Sequence, residues 1–329
     1  APDEPPGSVF AYNQGNSLTL SQIITTLTGE RVVDYLRPRL FGPLGIDRAE
    51  WLTTPSGIDQ GFSGLHVTTE AVAKLGQLVL QNGRWGEHQL VPAGYVTDGR
   101  LPQIGNSRQQ TNPDWRQGYG YQMWMCRHGA QRADGAFGQF SIVLPDLDAV
   151  IACTAQVIDM QQQLDLIWAH LLPAFADAKV PGSVGLQPGD GRLAERLSQL
   201  SVGCVPASAP GPAKALELSP TRADNSLAGR IEYVRIEPLP GGSRLVLTVN
   251  GENYAFDVPA DGFADGVLGG LGSPFPEVSV SAGWVSAREY NAEIVSRRTP
   301  HRLRLRARLG AAGEEPALSV NWLTAPLAL

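Results

Sequence analysis

Along the first hundred residues the apolar positions recur at helical spacing. Leu20, Ile23, Ile24 and Leu27 stand at i, i+3, i+4 and i+7, with Gly29 placed to end the helix. Val32, Val33, Leu36 and Leu40 predict a second helix. Pro38 should kink or split it, because proline removes one hydrogen bond and crowds the preceding turn. A third helix is predicted from Thr68 or Thr69 as N-cap, through Val72, Leu75 and Val79, to Gly83 as its stop. The period then shortens to two. Residues 119–125 and 137–144 alternate, and 149–154 form an unbroken apolar run of the kind found in strands covered on both faces. Asp159 reads as the cap of a helix whose buried stripe is Leu164, Ile167, Trp168 and Leu171, stopped at Pro173. Strands, a hairpin and flanking helices predict an antiparallel sheet covered by helices, an α+β arrangement.

The pattern changes after about residue 176. Residues 177–213 are rich in Gly, Pro, Ser and Ala and read as a linker with one short helix near 193–200. From residue 214 the period is two throughout, with strands expected at 231–236, 245–249, 254–258, 278–284, 291–295, 301–309 and 318–322. Leu245, Leu247 and Val249 should face one way, Arg244, Val246 and Thr248 the other. Tyr254, Phe256, Trp284 and Trp322 supply large apolar groups for an independent core. The expected organisation is therefore a domain over 1–176, a linker over 177–213, and an all-β, barrel-like accessory domain over 214–329.

A chain of 329 residues suits two domains, since single cores stop growing near ~250–300 residues. A net charge of −6, scattered along the chain, argues against a nucleic-acid partner, and no apolar run reaches the roughly 18 residues of a membrane span. Cys126, Cys153 and Cys204 are too few for a disulfide framework. Lys74, Lys179 and Lys214 are the only lysines, which limits any chemistry that needs an ammonium group. The opening Pro-Asp-Glu-Pro-Pro-Gly, with neither a basic nor an apolar leader segment, has the composition of a loop and favours a truncated start.

Candidate chemistry is sparse. Tyr12 precedes the first helix; on its own a phenol of pKa ~10 is a poor base and is as well read as a packing residue. Cys126 and His128 would share one face of a strand, without further metal ligands nearby. Arg302, Arg304, Arg306 and Arg308 alternate with apolar residues and place four guanidiniums on one strand face, read as a solvated exterior. His66, His88 and His170 have no catalytic partner in the pattern. No phosphate loop or nucleophile elbow occurs.

Phe10-Ala11-Tyr12-Asn13-Gln14-Gly15-Asn16-Ser17, with the helix after it, and the segment from Asp34 through Pro38 to Ile46, resemble the serine β-lactamase-related hydrolases. This family includes class C β-lactamases, penicillin-binding proteins, D-aminopeptidases and family VIII esterases. Gly64-Leu65-His66-Val67-Thr68-Thr69 resembles the start of their following helix, and Arg132-Ala133-Asp134-Gly135-Ala136-Phe137-Gly138-Gln139 their Lys/His-Thr-Gly strand. The resemblance covers roughly residues 9–174. It implies Tyr12 at the proton-relay position, and the Ala136 N–H as one half of an oxyanion hole. Substrate contacts are implied at Asn13, Gln14, Asp134 and Gly135. The asparagine expected at position 14 is Gln14, and Ala133 lacks the usual cation, which favours ester or peptide substrates over β-lactams. The family's Ser-x-x-Lys is absent, because no serine here has a lysine three residues on.

Two readings follow. Either this is an N-terminally truncated serine hydrolase, acting on an ester, amide or D-amino-acid peptide through an acyl-enzyme, or it is a relative that binds without catalysing. The partner expected is a small-molecule or short-peptide substrate; no cofactor and no metal is expected, oligomeric state is open, and the cytoplasm is the favoured compartment. If the nucleophile segment is missing, the helix bearing Ile23, Ile24 and Leu27 should show its apolar face to solvent. The first domain should then be marginally stable, and the β domain should be the sturdier half in a supporting role.

Overall fold

The computed structural model describes residues 4–178, 190–223, 230–310 and 314–326. The chain divides into two compact units, Ala1–Gly185 and Leu186–Leu329. The first unit carries α1 (Gln14–Thr28), α2 (Val32–Leu36), α3 (Thr69–Leu80), α4 (Ala93–Gly99) and α5 (Met160–Ala178). Two short ribbons pair β1 (Glu50–Trp51) with β2 (Leu65–His66), and β3 (Arg84–Trp85) with β4 (His88–Gln89). Its main sheet is antiparallel, in the order β5 (Trp124–Met125), β6 (Gln131–Gly135), β7 (Gln139–Leu144), β8 (Ala149–Cys153).

Strand β7 is the buried centre of this sheet. Phe140, Ile142 and Leu144 pack with Leu164, Ile167 and Trp168 of α5 on one face. On the other face the Ser141 hydroxyl donates to the Val72 carbonyl of α3 at 3.1 Å. α3 sits so close there that a Cβ on Gly76 would lie 2.4 Å from Ser141 Oγ and 2.7 Å from Val150 Cγ1. The opposite side of α3 contributes Ala71 and Leu78 to a second cluster with Val33, Phe41 and Leu44. Helix, sheet and helix thus form the expected α+β layers. Edge strand β8 is only partly buried, so its apolar run is covered less than its sequence suggests.

Local signals hold where the cap chemistry is explicit. Thr68, rather than Thr69, caps α3 by accepting from the Ala71 N–H at 3.2 Å. Gly29 ends α1 at φ 72°. Pro38 splits the second helix: α2 stops at Leu36, and Arg37–Phe41 form one π turn closed by Gly42 N–H to the Arg37 carbonyl at 2.7 Å. Pro173 does not stop α5, which runs on to Ala178. Leu172 and Phe175 pack against the sheet core, and that burial offsets the one hydrogen bond the proline removes. Residues 119–125 are not one strand either. Gly120 donates to the Met123 carbonyl at 2.8 Å, and Gln122, at φ 59°, turns the chain back so that Tyr119 bridges Trp124. His128, expected on a strand with Cys126, lies in a tight turn at φ 61° with its ring 5.3 Å from Trp168.

α1 docks through its small polar side. Ser21, its one buried residue, donates to the Asp59 carbonyl at 2.6 Å, while Leu20, Ile23 and Leu27 face outward, Leu27 being 81% exposed. Of the three residues expected to face solvent, Ile23 and Leu27 are exposed and Ile24 is half-buried. The Asp59 carboxylate, fully buried, receives Arg31 and the Val33 N–H at 2.8 Å, fastening α2 to the same loop.

Asp114 ties the far side of the unit together. Its buried carboxylate receives Arg127 through Nη2 at 2.7 Å, Gln161 Nε2 at 2.7 Å and Trp168 Nε1 at 3.0 Å. Burial pushes this carboxyl up, but the bonds from Arg127, Gln161 and Trp168 outweigh it and bring the pKa to about 2.

The second unit holds α6 (Asp190–Ser198) and two open sheets. One runs β13 (Glu252–Pro259), β12 (Gly242–Val249), β11 (Ile231–Leu239), β9 (Leu216–Leu218). The other runs β10 (Arg222–Ala223), β18 (Ala317–Thr324), β17 (Arg302–Arg308), β16 (Glu289–Ser296), β15 (Glu277–Ser286), β14 (Ala264–Val267). All seven expected strands are present. Short β9, β10 and β14 offer too few residues to show a period. Leu245, Leu247 and Val249 of β12 point into a core shared with Val280, Ala292, Leu305 and Val320 of the other sheet. A bulge between Ile231 and Tyr233 lets both Ile231 and Val234 face inward. Within the core, Ser243 Oγ and Tyr290 Oη lie 2.8 Å apart, and burial pushes the Tyr290 phenol up to about 12. The arginine face of β17 is half compensated, two carboxylates serving four guanidiniums: Arg302 and Arg304 pair with Glu293, Arg306 and Arg308 with Glu289. Part of the segment read as linker belongs to this unit. Val205 N–H donates to Ser281 Oγ at 2.7 Å, and the Ser208 and Ala209 N–H groups both reach the Trp284 carbonyl at 2.9 Å.

Three outcomes follow. Gly76→Ala should destabilise the protein by about 1–3 kcal/mol in urea titration despite alanine's better helix propensity, because the added methyl meets β7 and β8. Leu27→Gln should leave the unfolding midpoint unchanged within about 0.5 kcal/mol. Asp114 binds its proton more weakly folded than unfolded, so its contribution is full above pH ~4 and lost as pH falls toward ~2. Asp114→Asn should therefore flatten the acid-unfolding curve in that window, and an unchanged curve would show that other groups control it.

Candidate active site

The floor of the site is a buried charge. Arg132 of β6 is fully buried, its guanidinium carbon 4.1 Å from the Trp115 ring centre, 5.8 Å from Trp124 and 5.7 Å from Phe140. Such a group survives burial only if its protons are matched. Nη1 donates to the Asp114 carbonyl and to Cys126 Sγ, both at 2.7 Å. Nε and Nη2 reach Asp134 Oδ2 at 2.9 and 2.8 Å. Burial keeps the Asp134 carboxyl above the usual range although Arg132 pulls it down. Burial likewise pushes the Cys126 thiol up to about 11 against the pull of Arg132, so this cysteine stays protonated at neutral pH.

Above the floor stands Tyr12. Buried Phe10 anchors the strand of chain leading to it, with its ring 5.4 Å from Tyr119 and 5.5 Å from Trp124. The Tyr12 ring lies 5.3 Å from Trp124 and 6.1 Å from Tyr119, and the residue is 59% exposed. Partial burial and then the Asp134 charge raise its pKa, and burial, with Tyr12 and Asp134, raises that of Tyr119. Both phenols are therefore hydrogen-bond donors at neutral pH, as expected for a Tyr12 without a neighbouring ammonium. Lys74, the only lysine among the described residues of this unit, is engaged by Glu70 at 2.9 Å and the Gly45 carbonyl at 3.0 Å.

Asn13 caps α1, its Oδ1 accepting from Gly15 N–H at 2.7 Å, so its side-chain oxygen is committed to the helix start. Gln14 opens the helix and is exposed. Gln122 Nε2 donates to Ser17 Oγ at 3.1 Å and ties the helix to the Tyr119 hairpin.

Strand β6 ends at Gly135, and Ala136-Phe137-Gly138 turn into β7 with Phe137 at φ 64° and Gly138 at φ 86°. The turn is held from behind. Val157 N–H donates to the Phe137 carbonyl at 3.1 Å, and Gln139 Nε2 reaches the Ala155 carbonyl at 2.6 Å. Gly138 packs so tightly that a Cβ would lie 2.0 Å from Gln163 Oε1. Ala136 is exposed, and among the described residues nothing accepts from its N–H. An open amide, a neutral tyrosine hydroxyl and a half-neutralised carboxylate thus share one edge of the sheet.

Of the residues expected at a site, Tyr12 and Asp134 come into electrostatic contact, with Gly135 and Ala136 directly following in β6 and its turn. Tyr119, Trp124, Arg132 and Asp114 were not anticipated. The spacing Arg132-x-Asp134 was the one signal present, because alternate residues of a strand share a face.

A β-lactamase family model matches residues 1–161, which include every residue of this edge. A D-aminopeptidase of Brucella anthropi is 38% identical over 61 residues, 18% of this chain and 12% of that protein. A structure described as a "putative 6-aminohexanoate-dimer hydrolase" from Bacillus anthracis shares 27% identity, with a TM-score of 0.45 over 54% of this chain and 47% of its own. The octameric penicillin-binding protein homologue of Pyrococcus abyssi shares 13% identity, with a TM-score of 0.35 over 92% of this chain and 64% of its own. The chain thus spans less than two thirds of each of these proteins. The first 161 residues belong to the β-lactamase family.

Proposed function

We propose that the first unit supplies the tyrosine and strand-edge half of a serine hydrolase of the β-lactamase and penicillin-binding type. Its substrate is an ester, an amide or a D-amino-acid peptide, cleaved through an acyl-enzyme. The observation that carries this reading is the placement of Tyr12 beside Asp134, with the open Ala136 N–H two residues further along the same edge. In the reaction a serine hydroxyl attacks the carbonyl, and the Ala136 N–H receives the developing oxyanion. Tyr12 passes the serine proton to the leaving group, and water then releases the acid.

Tyr12 cannot take a proton at neutral pH from its present surroundings, since partial burial and Asp134 both raise its pKa. Lowering a phenol by about three units needs on the order of 4 kcal/mol, which a neighbouring ammonium supplies. The serine and its lysine therefore come from outside these residues, and the chain alone is inactive. The same raised pKa favours the second reading, a hydrolase scaffold that binds without turnover. The second unit, in which we identify no nucleophile–base pair among the described residues, takes a supporting role.

Turnover of p-nitrophenyl acetate and of D-alanyl-p-nitroanilide separates the readings. The 329-residue chain should show none. The same chain joined to an upstream segment bearing Ser-x-x-Lys should turn over, and Tyr12→Phe should lower its kcat by roughly 10²–10⁴-fold. Activity of the chain alone that survives Tyr12→Phe would overturn the assignment. In the coding DNA upstream of Ala1, a start codon with no such segment after it would favour the binding protein.

A further inference from the structure

We propose that the arginine face of β17 is a docking surface for an extended acidic peptide segment of a partner protein, with carboxylates at alternate positions. The surface lies in the second unit and is independent of the hydrolase reading. Leu303, Leu305 and Ala307 of β17 are buried in the core, so Arg302, Arg304, Arg306 and Arg308 share the opposite face. Alternate residues of a strand recur at about 7 Å, which makes the row about 20 Å long. Exposure rises along it, from 23% of the Arg302 side chain to 62% of Arg308.

Glu293 and Glu289 of β16 answer the four guanidiniums, and each carboxylate oxygen is already taken. Arg302 holds Glu293 Oε2, while Arg304 Nε and Nη2 both donate to Oε1, at 3.0 and 2.6 Å. Arg308 Nε donates to Glu289 Oε2 at 3.1 Å. Arg306 Nε lies 3.2 Å from Glu289 Oε1 without the alignment of a hydrogen bond. The Nη groups of Arg306 and Arg308 thus have no acceptor among the described residues. β18 adds no acid, placing Asn321 opposite Arg304 and Ser319 opposite Arg306. At the Arg308 end the connections carry both signs, with Arg288 before β16 and Glu314 and Glu315 after β17, so the positive excess belongs to the row itself.

One side of the row is walled by the chain. Val205 N–H donates to Ser281 Oγ of β15, and a Cβ on Gly283 would lie 2.8 Å from Ala207 Cβ. Ser281 and Gly283 pair through Glu293 and Asn291 with Arg304 and Arg306, two strands or about 10 Å away. β17 is interior to its sheet, between β16 and β18, so its backbone is occupied and a ligand must be read by side chains. Alternate side chains of an extended peptide repeat at the same ~7 Å, and each guanidinium offers a planar fork suited to a carboxylate. A net charge of −6 disfavours a long polyanion, whereas a short acidic segment meets mainly the row.

Fluorescence anisotropy of the whole chain with two labelled peptides tests this. One has four Glu-Thr repeats; the other has four Glu followed by four Thr, equal in composition and charge. At low salt the alternating peptide should bind about tenfold more tightly than the blocked one. Arg306→Gln with Arg308→Gln should lower its affinity about tenfold, the range of two exposed ion pairs. Arg192→Gln with Arg196→Gln, the same charge change on α6, should leave it unchanged. Equal affinity for the two peptides, an equal loss from the α6 pair, or no binding at millimolar peptide would each overturn the proposal. Tighter binding of a polyphosphate of equal charge would also overturn it, assigning the row to phosphate instead. Circular dichroism reports whether the Arg306→Gln, Arg308→Gln chain folds; if it does not, the two peptides on the unsubstituted chain decide.

Discussion

A guanidinium with no exposure sets the terms for the first unit. Arg132 lies under three aromatic rings; Nη1 donates to the Asp114 carbonyl and Cys126 Sγ, Nε donates to Asp134, and Nη2 is ion-paired with the same carboxylate. Removing one partner of a buried pair leaves an uncompensated charge, at a cost of about 3–5 kcal/mol. The loop bearing Asp114, the β5–β6 turn and the end of β6 are therefore held to one arrangement. Asp114 extends the constraint to α5 through Gln161 and Trp168.

This arrangement explains the chemistry of the exposed edge. Asp134 is largely desolvated, and burial of Tyr12 and Tyr119, with the Asp134 charge added, raises both phenols further from neutral pH. Trp124 serves both levels: one contact is to Arg132 below, another to Tyr12 above. The packing that stabilises the sheet also positions the groups of the candidate site. Packing and site chemistry are not separable here.

The second unit follows different physics. Its two sheets bury alternate residues against each other, and its polar contacts include cross-strand pairs such as Arg244 with Asp257. Exposed pairs of that kind stabilise by less than about 1 kcal/mol each. Its stability therefore rests on apolar burial, with the Ser243–Tyr290 contact as one satisfied polar link inside the core.

Local chemistry was enough to read the caps at Thr68 and Gly29, the break at Pro38 and seven strands of the second unit, because each depends on residues close in sequence. Tyr12 and the 134–136 segment were legible through family resemblance, since the sequence keeps their order and spacing. Periodicity also identified α1 but could not say which side it buries; Ser21 docks while Leu27 faces out, because a helix buries whatever side meets a partner. The hairpin at Tyr119, the continuation of α5 past Pro173 and the burial of Arg132 were decided by tertiary structure. In each case contacts distant in sequence outweigh a local preference: the Gly99 carbonyl against Gly120, the sheet core against Phe175, and three aromatic rings against a charge that would otherwise lie in water.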